Sequence, residues 1–348
     1  MAAEPERWIE PTPVPSTEAG EGLVLSSAQV QDWRERGFTL VDGVIPYSMV
    51  AEARSVIEGL VAGAGDEGQI RDFGSDGTLE FPTGHAPIDA ITLHSDLLTA
   101  VSQLLGVQVE ALRLTQSDVW AKYGHAEKDG NERSNDDQRI HMDYPNHYLT
   151  HPPVWSKPEA VEMILYFDDV SECEGATALV PREGEEDPAY AWPYQNMPGF
   201  GALRWVNDRE AAEAELKQAV PDVAEFRQEH LYSREVRARF RLGTVLFYRH
   251  DLWHRGTWLR EGRRRLAQNL CFRRADAEWI HSVQPGSAWR MYRPGQPTER
   301  LIANASVSQR CVLGFPAPGH SHWTPERLEA VRARYGPLGM DMAPYEKG

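Results

Sequence analysis

The spacing of apolar residues changes along this chain near Gly106. Before that point they recur at helical intervals. Ser26 and Ser27 can cap a helix that runs to Arg36 and stops at Gly37, and Phe38 to Val41 then reads as a strand. Pro46 opens a second helical stretch, Tyr47 to Val61, and a third runs from Ile88 to Leu105. Beyond Gly106 the runs are short. Val107 to Tyr123, Gln138 to Asp143, Ala160 to Phe167, Ala176 to Val180, Glu235 to Arg241, Thr244 to Tyr248 and Arg265 to Phe272 read as strands, several with period-two alternation. Many short strands parted by turn residues predict a sandwich or barrel that can enclose a ligand.

The remaining stretches set the organisation. Residues 1–22 read as a loose tail, rich in proline and acid. Residues 23–275 form one strand-rich domain interrupted by an insertion, 182–230, with one predicted helix, Asp208 to Ala219. Insertions of this length serve as lids or binding loops, or as solvated decoration. The acidic run Glu127 to Gln138 reads as a loop. From 276 to 348 the chain is rich in Trp, Pro and Gly and ends in a predicted helix, Pro325 to Tyr335; it is expected to pack on the same domain.

Composition narrows the function classes. With 348 residues, 41% of them hydrophobic, the chain can bury a large core. A formal net charge of −16 argues against nucleic acid or an anionic membrane as partner. No apolar run approaches a membrane span, and the first twenty residues lack the basic start and apolar run of a signal peptide, so a cytoplasmic location is expected. Three cysteines, Cys173, Cys271 and Cys311, without CxxC spacing indicate neither a disulfide framework nor a thiolate zinc site.

The chemistry concentrates in His141-Met142-Asp143. In a strand, residues two apart share a face, so His141 and Asp143 would aim inward together. A third ligand must come from elsewhere, and both His250 and His254 follow a predicted strand. Arg265 lies eleven residues beyond His254, on the next predicted strand, whereas the same step from His250 reaches Glu261; this favours His254. Two imidazoles and a carboxylate form a ligand set for non-haem Fe(II) that leaves positions open for substrate and O₂. An arginine beyond the second histidine can grip a dicarboxylic co-substrate. The same three ligands also suit Zn²⁺.

With these residues in view, the chain resembles the phytanoyl-CoA dioxygenase family of Fe(II)/2-oxoglutarate oxygenases over roughly residues 27–275. The likeness opens with Ala28-Gln29-Val30 and Gly37 to Pro46. It continues through His141-Met142-Asp143 and Glu174-Gly175-Ala176-Thr177, and closes on Gly243-Thr244-Val245-Leu246-Phe247, His254-Arg255-Gly256-Thr257 and Arg265. Pro181-Arg182-Glu183-Gly184 departs from the family's usual Pro-Gly-Ser-His. The resemblance implies a mainly β fold with flanking helices around a double-stranded β-helix, a cupin-like jelly roll. It implies Fe(II) held by His141, Asp143 and His254, with 2-oxoglutarate and O₂ as co-substrates and a small organic molecule or acyl derivative as substrate. Arg265 would bind the distal carboxylate, with Arg264 as competitor if the register shifts by one. Gln116, Lys122 and Thr257 are further candidates for co-substrate contacts. Related halogenases lack the acidic ligand, so Asp143 favours hydroxylation or another oxidation over chlorination. Two alternatives stay open: a member without turnover that only binds metal or ligand, and a cupin-like Zn²⁺ or Mn²⁺ enzyme that does not use 2-oxoglutarate.

Overall fold

The structure, a computed structural model, describes residues 7–15, 23–64, 79–124, 138–143, 154–190, 208–277, 297–312 and 315–346. Its frame is a pair of sheets. The larger contains β2 (Thr12–Pro13), β3 (Phe38–Asp42), β4 (Leu79–Glu80), β5 (Leu112–Tyr123), β6 (Ala160–Tyr166), β9 (Val245–Tyr248) and β11 (Arg264–Arg274), in the spatial order β2-β3-β9-β6-β11-β5-β4. The smaller joins β1 (Trp8–Ile9), β7 (Thr177–Leu179), β8 (Val236–Ala238) and β10 (His254–Gly256) in the order β1-β8-β7-β10. The short parallel pairs β1–β8 and β2–β3 lie at the sheet edges, and the remaining pairs are antiparallel.

Strand alternation gives the larger sheet two faces with different partners. Val161, Met163 and Leu165 of β6 point outward into a core shared with helices α1 (Ser27–Arg36), α2 (Tyr47–Leu60), α3 (Ala86–Thr92) and α4 (Ser95–Leu105). Ile164 and Tyr166 point inward, into the core between the sheets. Helix α1 starts on a capping box, in which Ser26 accepts from the Gln29 amide at 3.2 Å and Gln29 accepts from the Ser26 amide at 2.8 Å. It ends at Gly37, whose φ of 97° suits a left-handed cap.

Several expectations change. The loose tail supplies β1 and β2, because Trp8 stacks on Arg239 and the edges of β8 and β3 offer unpaired backbone groups. The third helix is two, α3 and α4, since His94 adopts an extended conformation and its Nδ1 accepts from the Asp96 amide. The strand expected from Val107 begins only at Leu112, after a 3₁₀ turn over Val109–Ala111. Gln138 to Asp143 forms no strand. Gln138 donates to the Gly256 carbonyl and His141 pairs with His254, so four residues face three, and the irregularity breaks the ladder.

The described part of the insertion contains two helices, Arg209–Ala219 and Pro221–His230. The C-terminal helices build a separate apolar cluster around Phe315, Val331, Tyr335 and Tyr345, tied to the sheet by Arg327 and Glu159 at 2.9 Å. All three cysteines are free thiols. Among the described residues, no helix is long and apolar enough to cross a membrane.

Candidate metal centre

His141, Asp143 and His254 converge between the two sheets, with their ligand atoms within 4.8 Å of one another. Two reciprocal backbone bonds of 2.9 Å clamp His141 against His254. The Asp143 amide donates to the His250 carbonyl at 3.0 Å, which brings the carboxylate round to the same spot.

Each imidazole is oriented by its own chain. His141 Nδ1 lies 3.0 Å from the Arg139 carbonyl, and His254 Nδ1 lies 3.0 Å from the Leu252 carbonyl. A carbonyl only accepts, so both Nδ1 atoms carry protons and both Nε2 atoms turn towards Asp143, at 3.7 and 3.2 Å. Burial and the charge of His254 push the His141 pKa down to about 3, leaving a neutral ring. Burial opposes charge on His254 as well, but the adjoining Asp143 carboxylate outweighs it and raises that pKa. Tyr248 donates to Asp143 Oδ2 at 3.0 Å. Two Nε2 atoms and a carboxylate are a donor set that Fe(II), Zn²⁺ or Mn²⁺ accepts.

The insertion and the turn that follows it brace this segment. Arg227, buried and ion-paired with Glu213, donates to the Ile140 carbonyl at 3.1 Å, and Tyr232 Oη accepts from the Ile140 amide at 3.1 Å. The bonds that a strand neighbour would supply thus come from two helices. On the other side, a buried Arg249–Asp251 pair at 2.9 Å shapes the turn into β10, and Arg255 with Glu235 fixes β10 itself.

Arg265 points inward. Its Nη1 donates to the Gly175 carbonyl, its guanidinium lies over the Tyr166 ring, and its buried Nε has no hydrogen-bond partner. Lys122, 2% exposed, sits directly across from it on β5. Both candidates therefore occupy one corner of the inner face. Arg264 does not, because alternation turns it outward to the Ala62 carbonyl and Glu58. Gln116 lies six residues from Lys122, about 20 Å along the strand, and bonds Asp118 instead. The Thr257 hydroxyl is committed to the Ala176 carbonyl at 2.8 Å. His250 forms a separate buried group, 3.0 Å from Glu162 and 3.1 Å from Cys271. Tyr144, Pro145, Asn146 and His147, which directly follow Asp143, and Trp279, His281, Trp289, Arg290 and Tyr292 of the C-terminal stretch lie outside the described residues.

Sequence reasoning missed Tyr248, Glu162 and the bracing pair Arg227 and Tyr232. Glu162 carried a signal, as a lone charge within an otherwise apolar strand.

Among solved structures, the chain is similar to the non-heme alpha ketoglutarate dependent carbocyclase SnoK from nogalamycin biosynthesis, at 18% identity and TM-score 0.50, over 78% of this chain and 93% of that one. It is also similar to EvdO2 from Micromonospora carbonacea var. aurantiaca, at 13% identity and TM-score 0.49, over 78% and 97% of the two chains. EctD from S. alaskensis matches at 16% identity and TM-score 0.49, over 80% and 88%. No curated protein sequence matches. The likeness to SnoK bears on the fold, a two-sheet jelly roll with flanking helices. The family model described as phytanoyl-CoA dioxygenase matches residues 33–266, a span that holds His141, Asp143, His254 and Arg265, and the chain belongs to that family.

Proposed function

We propose that the chain is a non-haem Fe(II)/2-oxoglutarate-dependent oxygenase that hydroxylates a small organic molecule, with His141, Asp143 and His254 as the iron ligands. The observation that carries this reading is the convergence of two Nε2 atoms and one carboxylate, with both Nδ1 atoms already bonded to backbone carbonyls. The residues fit the ion: neutral nitrogen lone pairs and a carboxylate, each held by a second bond, suit a divalent metal of intermediate softness. Bound Fe(II) with 2-oxoglutarate supplies an O₂-activating centre that oxidises a C–H bond as the oxo acid becomes succinate and CO₂.

The chain's own residues bind and orient. Arg265 and Lys122 form the cationic corner for the distal carboxylate of the oxo acid, and the partnerless Nε of Arg265 favours this over a Zn²⁺ or Mn²⁺ enzyme without an oxo acid. Tyr248 holds one oxygen of Asp143, fixing the face the carboxylate presents.

Anaerobic addition of Fe(II) and then 2-oxoglutarate tests the reading. A metal-to-ligand charge-transfer band that saturates with 2-oxoglutarate is expected. Metal binding without that band would favour the Zn²⁺ or Mn²⁺ reading, and the band without succinate formation would favour a member that binds but does not turn over.

A further inference from the structure

The inner face of the larger sheet is electrically divided. Its cationic corner holds Arg265 and Lys122. Four residues further along β5, about 13 Å away, Asp118 faces the same chamber. The register puts Asn269 of β11 on one side of it and Glu80 of β4 on the other. That this chamber receives ligands does not rest on its acids. The three converging metal-type donors mark it, and so does the Nε of Arg265, a side chain only 7% exposed on the same inner face, with no hydrogen-bond partner.

Asp118 and the His254 ring share one charged neighbour. Glu162 acts electrostatically on both the His254 ring and the Asp118 carboxyl. Among the described residues, the one hydrogen bond Asp118 accepts comes from Gln116 on its own strand, at 2.9 Å. Burial pushes its carboxyl up to about 6, Gln116 offsets part of that, and Glu80 and Glu162 push it further. Among the described residues no cation balances it. A carboxylate held this way costs stability unless something positive arrives. Trp120 projects from the same strand face between Asp118 and Lys122, offering an aromatic neighbour of the kind that favours cations.

We propose that Asp118 recognises a positively charged nitrogen on the organic substrate, an alkylammonium or a guanidinium. The proposal rests on the oxygenase reading: the cationic corner takes the oxo acid, and the acidic stretch takes the basic end of the molecule to be oxidised. Asn269 and Gln116 flank the carboxylate as neutral polar neighbours for the remaining N–H groups.

The test is isothermal titration calorimetry on the anaerobic protein loaded with Fe(II) and 2-oxoglutarate, using agmatine, cadaverine, 1,5-pentanediol and glutarate as probes. Agmatine and cadaverine are expected to bind, the diol and the diacid are not, and Asp118→Asn weakens the two cations about tenfold or more while Asp118→Glu retains them. Equal binding of diol and cations, unchanged cation binding in Asp118→Asn, or no cation binding at all would overturn the proposal. The charge-transfer band, recorded on the same samples, keeps the two readings apart. Its presence without cation binding removes only the substrate class, and its absence removes the oxygenase reading itself.

Discussion

Arg265 and Lys122 are direct cross-strand partners on β11 and β5, so two buried cations share one corner of the inner face. Among the described residues Arg265 makes no ion pair. Two like charges buried side by side repel, and a dicarboxylate relieves the repulsion when it binds.

On the proposed reading, replacing Arg265 with Gln removes the fork that would grip the carboxylate and leaves His141, Asp143 and His254 untouched. The expected result is 2-oxoglutarate affinity at least about thirtyfold weaker, with Fe(II) content unchanged. Titration of the charge-transfer band, with metal analysis of the same sample, checks it. Loss of metal together with the oxo acid would assign Arg265 a structural role.

Tyr248→Phe deletes one hydrogen bond to Asp143 Oδ2 and little else, since the ring stays packed beside His254. Groups that hold a metal ligand in place typically change metal affinity by about ten- to a hundredfold. Competition for Fe(II) with a calibrated chelator should show a loss in that range, with the fold retained by circular dichroism.

Much of this centre was legible because its logic is short-range. Period-two alternation joined His141 to Asp143, and the eleven-residue step from His254 to Arg265 separated His254 from His250. What escaped depends on geometry that periodicity does not carry. Alternation puts Gln116 and Lys122 on one face but says nothing of the 20 Å or so between them. The Thr257 hydroxyl is taken by a carbonyl 81 positions away in sequence. The segment 138–143 has the composition of a strand, yet an extra residue opposite β10 hands Ile140 to Arg227 of the insertion and to Tyr232 just after it. A pairing between the segment that carries His141 and Asp143 and a helix some ninety residues downstream leaves no local pattern to read.

Gly256 shows how tight the cationic corner is. A Cβ there would stand 2.6 Å from Lys122 Nζ and 2.8 Å from Gln138 Oε1. Both atoms end flexible side chains, so Gly256→Ala displaces them instead of breaking the backbone. We expect a modest stability loss of about 1–3 kcal/mol, read by urea unfolding, and weaker 2-oxoglutarate binding because Lys122 is pushed off its position. Unchanged co-substrate affinity would show that Lys122 plays no part in holding the acid.

Asp118 should leave a signature in stability as well as in binding. Its carboxyl is raised from 3.8 to about 6 in the folded chain, first by burial and then by Glu80 and Glu162. Between those two values the unfolded chain has released the proton while the folded chain keeps it. Stability therefore falls as pH rises through that window and is flat above it. Asp118→Asn carries no charge to bury, so it abolishes this slope and stabilises the protein at pH 7 by about 1–2 kcal/mol, after allowance for partial exposure. Thermal melts of both proteins from pH 4 to pH 8 check the prediction. A variant that melts higher at neutral pH yet loses its cationic ligand marks a carboxylate retained for recognition at the expense of the fold. A variant that melts lower would mean that Asp118 is satisfied within the folded chain and has no need of a charged nitrogen.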